Sequence, residues 1–351
     1  MYFTHPQFKS FTLKPFLRGF SETDLRSKLN KIFPNYDILF TNSGRSAFQL
    51  AVEELKLENS EMIVPAYICD IFSPIFEKYN IKPIFVDVNL NTFNVIIEEI
   101  ENKITSNTKS ILVCHTYGVP NNMDKMRALA NKYNLKIIED CARAFGVKYK
   151  NEYLGNFGDC TMFSLPKFLP SATGGMLISK KPINTELNRP KLKIKSLIKF
   201  IRLFPYLATV TEKFRIEENA IKTIKPGLPK KASKQSLKIL NWFLNNFEEQ
   251  LNKRNELTQY FRQQLEKINI NIPEQTTYIS ALVQNRDTLA EKLRKYNVYC
   301  SRIWHNPLYP ELPNTKQAAE QIINFPLQNW FIKKDIDKII SCILSIKDQV
   351  S

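Results

Sequence analysis

The chain carries little that would hold a metal ion or a disulfide framework. Its three histidines, His5, His115 and His305, stand far apart, and its six cysteines (Cys69, Cys114, Cys141, Cys160, Cys300, Cys342) show no CxxC spacing. Scattered thiols, mostly inside apolar runs, argue for reduced, buried cysteines in the cytosol and against a zinc site. No run of about eighteen apolar residues exists, so no membrane-spanning helix is expected. The N-terminal Met1-Tyr2-Phe3-Thr4-His5-Pro6 lacks the basic-then-apolar pattern of a secretory signal, and a cytoplasmic location is the expectation. Internal repeats and low-complexity tracts are also missing. No recognition motif accompanies the net charge of +16, so nucleic acid is not expected as a partner.

What is present is enough chain, 351 residues, for a large domain and a smaller one. The expected division is 1–235 and 236–351, the first including a basic helical insertion at about 183–232. The charge is localised: Lys180 to Lys238 holds sixteen Lys/Arg against four Asp/Glu, leaving the rest of the chain near neutral. Within it, 191–206 reads as a basic amphipathic helix ended by Pro205. A charge-rich helix is ordinarily a solvated face. The sharper reading is that 191–202 rests on an anionic membrane surface or a phosphate-bearing ligand, which would make the protein peripheral to the inner face of the membrane.

From about residue 40 to 180, short β-branched runs alternate with helical patterns. Helices are expected over 44–57 and 122–134, and strands at Met62-Ile63-Val64, Ile84–Asp87, Ser110–His115 and Leu135–Glu139. That rhythm implies an α/β fold with a mainly parallel sheet covered on both faces. Its strand ends would present Pro65, Asp87, His115 and Asp140 along one edge, where ligands bind in such sheets. A long helix is expected over 233–267. The tail, with strands at 278–283 and 298–303 and helices at 287–296 and 335–346, reads as a smaller α+β domain.

Two residues carry the chemistry. Lys167 stands in the apolar, proline-stiffened run Phe163-Ser164-Leu165-Pro166-Lys167-Phe168-Leu169-Pro170, just before Gly174-Gly175. A lysine kept from water can lose its proton and form a Schiff base with a carbonyl. Asp140 ends a strand. An amine for an aldehyde and a carboxylate for a pyridinium nitrogen are what a pyridoxal 5′-phosphate enzyme needs. Either residue alone would be read as a surface cation or a strand-end cap.

The surrounding residues resemble a known family, the DegT–DnrJ–StrS aminotransferases. Asn42-Ser43-Gly44-Arg45-Ser46-Ala47 is similar to its phosphate loop before a helix, and free N–H groups at a helix N-terminus do bind phosphate. His115-Thr116-Tyr117-Gly118-Val119-Pro120 is similar to its His-x-Tyr-Gly-x-Pro turn, and Glu139-Asp140-Cys141-Ala142-Arg143-Ala144 to its Glu-Asp-Ala-Ala-Gln-Ala motif. Gly155-Asn156-Phe157-Gly158-Asp159, Ser301–Leu308 and Ile323–Leu327 resemble further motifs in the same order.

The resemblance implies a fold-type I transferase in which Lys167 and Asp140 are catalytic. Ser43, Gly44, Arg45, Ser46, Cys69, His115, Arg143 and Ser164 would bind the cofactor, and Trp304 and His305 would face substrate. It implies transamination from an amino acid such as glutamate to a keto-sugar, most of the family acting on nucleotide-linked ones, in glycan or secondary-metabolite synthesis by a homodimer.

Several positions depart from the pattern. Arg143 replaces the Gln that contacts the cofactor's phenolic oxygen, and Arg45 replaces a Thr. Cys69 stands where a ring-stacking aromatic is expected, with Tyr67 as a substitute. Lys230-Lys231-Ala232-Ser233 falls where a motif reaching the partner subunit belongs. Two rivals follow: a sugar dehydratase, whose relatives carry histidine in place of the lysine, and a catalytically retired binding protein.

Overall fold

The computed structural model describes residues 3–4, 19–169, 171, 173–188, 227–273, 276–328 and 331–347. The basic helix expected at 191–202 and most of the insertion lie outside the described residues.

A seven-stranded sheet organises the first half of the chain. Its strands are β2 (Asp37–Thr41), β3 (Glu61–Pro65), β4 (Lys82–Val86), β5 (Thr108–Cys114), β6 (Lys136–Asp140), β9 (Cys160–Ser164) and β10 (Gly175–Ser179). The order across the sheet is β2-β10-β9-β6-β5-β3-β4. From β9 to β4 every pairing is parallel, while β10 runs antiparallel to both β9 and β2. Strands β3 and β10 are buried at every position, as strands covered on two faces must be. The short strands β1 (Phe3–Thr4), β7 (Lys148–Tyr149) and β8 (Glu152–Tyr153) lie outside this sheet.

Helices cover both faces. Ser21 caps α1 (Glu22–Ile32), Ser43 caps α2 (Gly44–Glu54), and Asn122 caps α4 (Met123–Lys132), each side chain accepting the N–H three residues on. Between them α3 (Ser73–Lys78) opens with Pro74 in its first turn. One apolar cluster joins Leu25, Leu29, Phe33, Phe145 and Phe163; another joins Phe48, Leu50, Phe72, Val64 and Leu112.

The long helix expected over 233–267 is two helices, α5 (Lys234–Asn245) and α6 (Phe247–Glu266), broken at Asn246 with φ −120° and ψ 29°. The apolar stripe crosses the break because Leu237, Leu240, Phe243, Leu244 and Phe247 all pack on the core of the large sheet. A separate core starts at Leu257 and takes in Phe261, Leu265, Ile279, Phe325, Ile336 and Ile343. It is built by α6, β11 (Ile279–Leu282), α7 (Arg286–Lys295), β13 (Ile322–Phe325) and α9 (Lys333–Lys347). The strand expected at 298–303 is only β12 (Val298–Tyr299), and α8 (Pro313–Gln321) was not anticipated.

Because β3 to β6 and β9 are parallel, their C-terminal ends share one edge. The connection from β9 to β10 starts at that edge and carries Lys167. There Leu165–Lys167 forms a single 3-10 turn with Pro166 near its start, and Leu169 N–H reaches Leu165 O at 2.9 Å.

Candidate active site

Lys167 is half-buried beside Phe168, whose ring stacks on Phe145 at 4.4 Å between centroids and an interplanar angle of 4°. The Arg143 guanidinium, and next burial, push its amine down to about 8, against the opposing pull of Cys69 and Asp140. A lysine at that value exchanges its proton readily near neutral pH. Asp140 is 5% exposed. Burial raises its pKa, while the N–H of Ala142 (2.8 Å to Oδ1), Arg143 and His115 work the other way. Lys167, Asp140, Arg143 and Cys69 therefore form one electrostatic cluster at the strand ends.

Arg143 is buried, with its guanidinium 4.7 Å over the Tyr278 ring and 5.4 Å from that of Trp304. Its Nη1 is enclosed and has no hydrogen-bond partner. Trp304 stacks on Tyr117 at 5.5 Å, and Tyr67 meets both rings edge-on. The Tyr67 and Tyr117 hydroxyls lie 2.8 Å apart and 3.1 and 2.7 Å from Ile303 O, so Tyr117 donating to that carbonyl leaves its oxygen to accept the Tyr67 proton. Phe93, Tyr117 and Trp304 have φ of 59°, 54° and 64°. Such values are rare for bulky side chains, and three in one aromatic cluster concentrate backbone strain beside Arg143.

The loop over 43–46 lies across from Ser164. Ser43 Oγ accepts the Ser46 N–H at 3.2 Å and lies 3.0 Å from Ser46 Oγ. A Cβ on Gly44 would sit 3.0 Å from Ser164 Cβ, and one on Gly175 would sit 2.3 Å from the Ser43 carbonyl carbon. Gly174, at φ +114°, turns the chain so that Gly175 can pass this close. Arg45 Nε is enclosed at the same helix end without a partner. Lys230 sits beside this loop in its own chain, its N–H on Asn42 Oδ1 at 3.1 Å and its carbonyl accepting the Asn42 N–H at 2.7 Å.

Other expected residues are placed differently. His115 is fully engaged away from the lysine: Nε2 lies 3.0 Å from Glu139 Oε2, and Nδ1 accepts the Asn121 N–H at 3.2 Å. Glu139 in turn accepts the N–H groups of Gly155, Phe157 and Gly158 at 3.0, 2.9 and 2.6 Å. Burial would raise Glu139, but His115 and the backbone of Gly158 and Gly155 hold it below the usual carboxylate range. Ligand atoms of His115, Glu139 and Cys141 come within 4.8 Å of one another, yet those of His115 and Glu139 are already spent on these hydrogen bonds.

Asp87 caps α8, accepting from Asn314 N, Thr315 N and Thr315 Oγ1 at 2.9, 2.8 and 2.8 Å. Trp304 joins the site through Arg143. His305 turns to its own loop, with Nδ1 2.8 Å from Arg302 O. Tyr278, whose hydroxyl is 3.4 Å from Lys167 O, was not foreseen, since no motif or spacing marks it. Tyr67 packs among the aromatic rings, and Cys69 is the residue that faces the lysine cluster.

The model of the DegT/DnrJ/EryC1/StrS aminotransferase family matches residues 15–344. The chain belongs to that family. It is a pyridoxal 5′-phosphate-dependent aminotransferase of the α/β, fold-type I class. Over 143 residues the aminotransferase is 40% identical to the GDP-perosamine synthase of Escherichia coli O157:H7, a match spanning 39% of each chain. It is 25% identical over 307 residues to dTDP-3-amino-3,6-dideoxy-alpha-D-galactopyranose transaminase of Aneurinibacillus thermoaerophilus, covering 81% of this chain and 78% of that one. The fold matches the crystal structure of an aminotransferase from Psychrobacter cryohalolentis with a TM-score of 0.74 at 18% identity, covering 97% and 98% of the two chains.

The residues of the aminotransferase suit its cofactor. The glycine at the start of α2 leaves backbone N–H groups open to an anion, and Arg45 Nε is an unused donor there. Arg143 Nη1 is a second unused donor, and the guanidinium interacts electrostatically with both the Lys167 amine and the Asp140 carboxylate.

Proposed function

We propose that this aminotransferase carries an amino group from an amino-acid donor, glutamate by preference, to a keto-sugar borne on a nucleotide. The observation that carries the reading is Lys167 held near neutrality in one cluster with Asp140. The sugar comes from the relatives, which are named for GDP- and dTDP-linked amino sugars.

When bound, pyridoxal phosphate supplies an electron sink for the carbon that loses its proton. Lys167 would hold the cofactor through its Nζ and, when free, would take the proton from the donor's α-carbon and supply one to the sugar carbon that gains the amine. Asp140 would keep the pyridine nitrogen protonated. Ser43, Gly44, Arg45, Ser46 and Ser164 would hold the phosphate, and Arg143 would donate to a ring oxygen. Cys69 would offer the ring no aromatic partner. His115 acts one step back, by fixing Glu139. Trp304 lines the substrate side.

The same reading includes two domains over 1–235 and 236–351. It further includes a homodimer working in the cytoplasm on polysaccharide precursors, with residues 191–202 resting on an anionic membrane face. No helix among the described residues is long and apolar enough to cross a membrane.

The test is optical and chemical. Purified protein should be yellow, bleach on addition of glutamate, and after borohydride carry a pyridoxyl group on the peptide containing Lys167. A colourless protein that stays unlabelled with added pyridoxal phosphate would sink the enzyme reading.

A further inference from the structure

Tyr117, Arg143 and Lys167 each stand three residues beyond the end of a parallel strand, β5, β6 and β9 respectively. The sheet fixes where these three loops start. The segment entering β11, Thr276-Thr277-Tyr278, then touches all of them. Thr277 N–H donates to Tyr117 O at 2.9 Å, and Thr277 Oγ1 donates to Arg143 O at 2.5 Å. Thr276 Oγ1 lies 2.8 Å from Tyr117 O, and the Tyr278 hydroxyl lies 3.4 Å from Lys167 O.

These contacts are close and dry. Thr277 is 6% exposed, and a Cβ on Gly118 would fall 2.5 Å from its Oγ1, so the bare glycine is what lets the segment approach. The carbonyl of Tyr117 belongs to a residue at φ 54°, a conformation that surrounding contacts must hold. Tyr117 in turn stacks on Trp304, and the rings of Trp304 and Tyr278 are the two beside the Arg143 guanidinium, at 5.4 and 4.7 Å. One short segment therefore grips Arg143 by its backbone and by its side chain. The grip has something to oppose. Arg143 and Lys167 are like charges lining one gap with Thr277 and Tyr278, and Arg143 Nη1 has no hydrogen bond to tie it there. Left free, two cations in a buried site move apart.

We propose that Thr277 and Tyr278 are positioning residues for Lys167: they hold the Arg143 guanidinium against the amine and so keep the lysine ready to act as a nucleophile. This role rests on the reading of Lys167 as the reactive amine and names what keeps it so. Arg143 is the first cause of the lowered value at Lys167; the other groups facing the amine are Cys69, Asp140 and, across the gap, Arg254. Thr277→Val and Tyr278→Leu remove none of these charges. A change at Lys167 in either variant is therefore transmitted by position.

The experiment is competitive labelling of the full chain, stripped of cofactor, with trace acetic anhydride against pH. Mass spectrometry of the peptide containing Lys167 gives the midpoint, expected at about 8 in wild type. Thr277→Val and Tyr278→Leu should each move it upward by about half a unit, a roughly threefold loss of labelling at pH 7. Thr277→Ser keeps the hydroxyl and should stay at the wild-type midpoint. Beside Arg143→Gln, Thr277→Val should add no further shift, because the group it positions is gone.

Midpoints at or below wild type in both Thr277→Val and Tyr278→Leu overturn the proposal, whatever these variants do to urea stability. So does a Thr277→Val shift that persists in full beside Arg143→Gln. If Thr277→Val does not fold, Tyr278→Leu with and without Arg143→Gln decides the same question. Pyridoxal phosphate followed by borohydride, on wild type, separates the two levels. Pyridoxyl labelling with unmoved midpoints removes only the positioning role. Moved midpoints without pyridoxyl labelling keep that role and remove Lys167 as the cofactor's amine.

Discussion

At Lys167 a neighbouring cation and burial act in the same direction, and the consequence can be titrated. Its folded-state value of about 8 lies below the 10.5 of a free lysine, so the folded apoprotein binds fewer protons than the unfolded chain between those values. Stability from this group is lost as pH falls through about 8 and is fully present above 10.5. Arg143→Gln removes the larger cause. The variant should react with pyridoxal phosphate with a pH midpoint moved upward by about one unit or more, as read by borohydride-trapped product against pH. Its apoprotein should also gain less stability than wild type between pH 8 and 10.

Glu139 has the same sign in the acid range: its folded value is also depressed, so its contribution is present above the free-glutamate range and lost on acidification through the folded value. Glu139→Gln leaves His115 and the 155–158 loop without their charged acceptor and should cost about 3–5 kcal/mol in urea unfolding at pH 7. The motif around Asp140 is readable in sequence. That its first residue is a hub for four donors is not, because those donors are backbone groups sixteen to nineteen residues on and a histidine twenty-four residues back.

Among the elements, the short apolar strands near 62–64, 84–87, 110–115 and 135–139 and the capped helices opening at 44 and 123 were legible, since burial on two faces writes a continuous apolar run and a cap writes Ser or Asn. The reversed strand β10 was not. Nothing in Gly175–Ser179 distinguishes an antiparallel buried strand from a parallel one. The break at Asn246 was hidden for a related reason: both helices bury the same stripe, so the period continues across the joint.

Asp87 shows a strand-end carboxylate serving an element rather than a ligand. Asp87→Ala takes three acceptor contacts from the start of α8 and should lower stability by about 1–2 kcal/mol, seen as a lower urea midpoint with unchanged slope. Gly175→Ala forces a Cβ to within 2.3 Å of the Ser43 carbonyl carbon, where only backbone can give way. It should cost about 2 kcal/mol or more and weaken pyridoxal phosphate affinity out of proportion to that loss, measured by absorbance titration of the apoprotein.

For the molecule as a whole, the two apolar cores have different owners along the chain, one closing with α5 and the other starting inside α6. The aromatic cluster of Tyr67, Phe93, Tyr117 and Tyr278 is where segments from both meet, and it is also where the strained backbone lies. Aminotransferase architecture was therefore legible from motif order, whereas the Arg143 stack was not, because Tyr278 and Trp304 reach it from the far end of the sequence. The proposed homodimer predicts a light-scattering mass of twice the 41.0 kDa chain at micromolar concentration. A mass of one chain under those conditions would exclude shared active sites.

The placement of β10 has a consequence for how the molecule comes into being. Among the described residues, strand β2 has no main-sheet neighbour except β10, although more than a hundred residues separate them. Such a distant pairing is slow to form because the intervening chain must first be closed into a loop. During synthesis the first strand of the sheet waits for the last, and the Ser43 turn has no wall until Gly175 arrives to back it. The cofactor would then find its phosphate seat only on a chain whose sheet is already complete, so adding pyridoxal phosphate to a refolding reaction should leave the folding rate unchanged and trap the product.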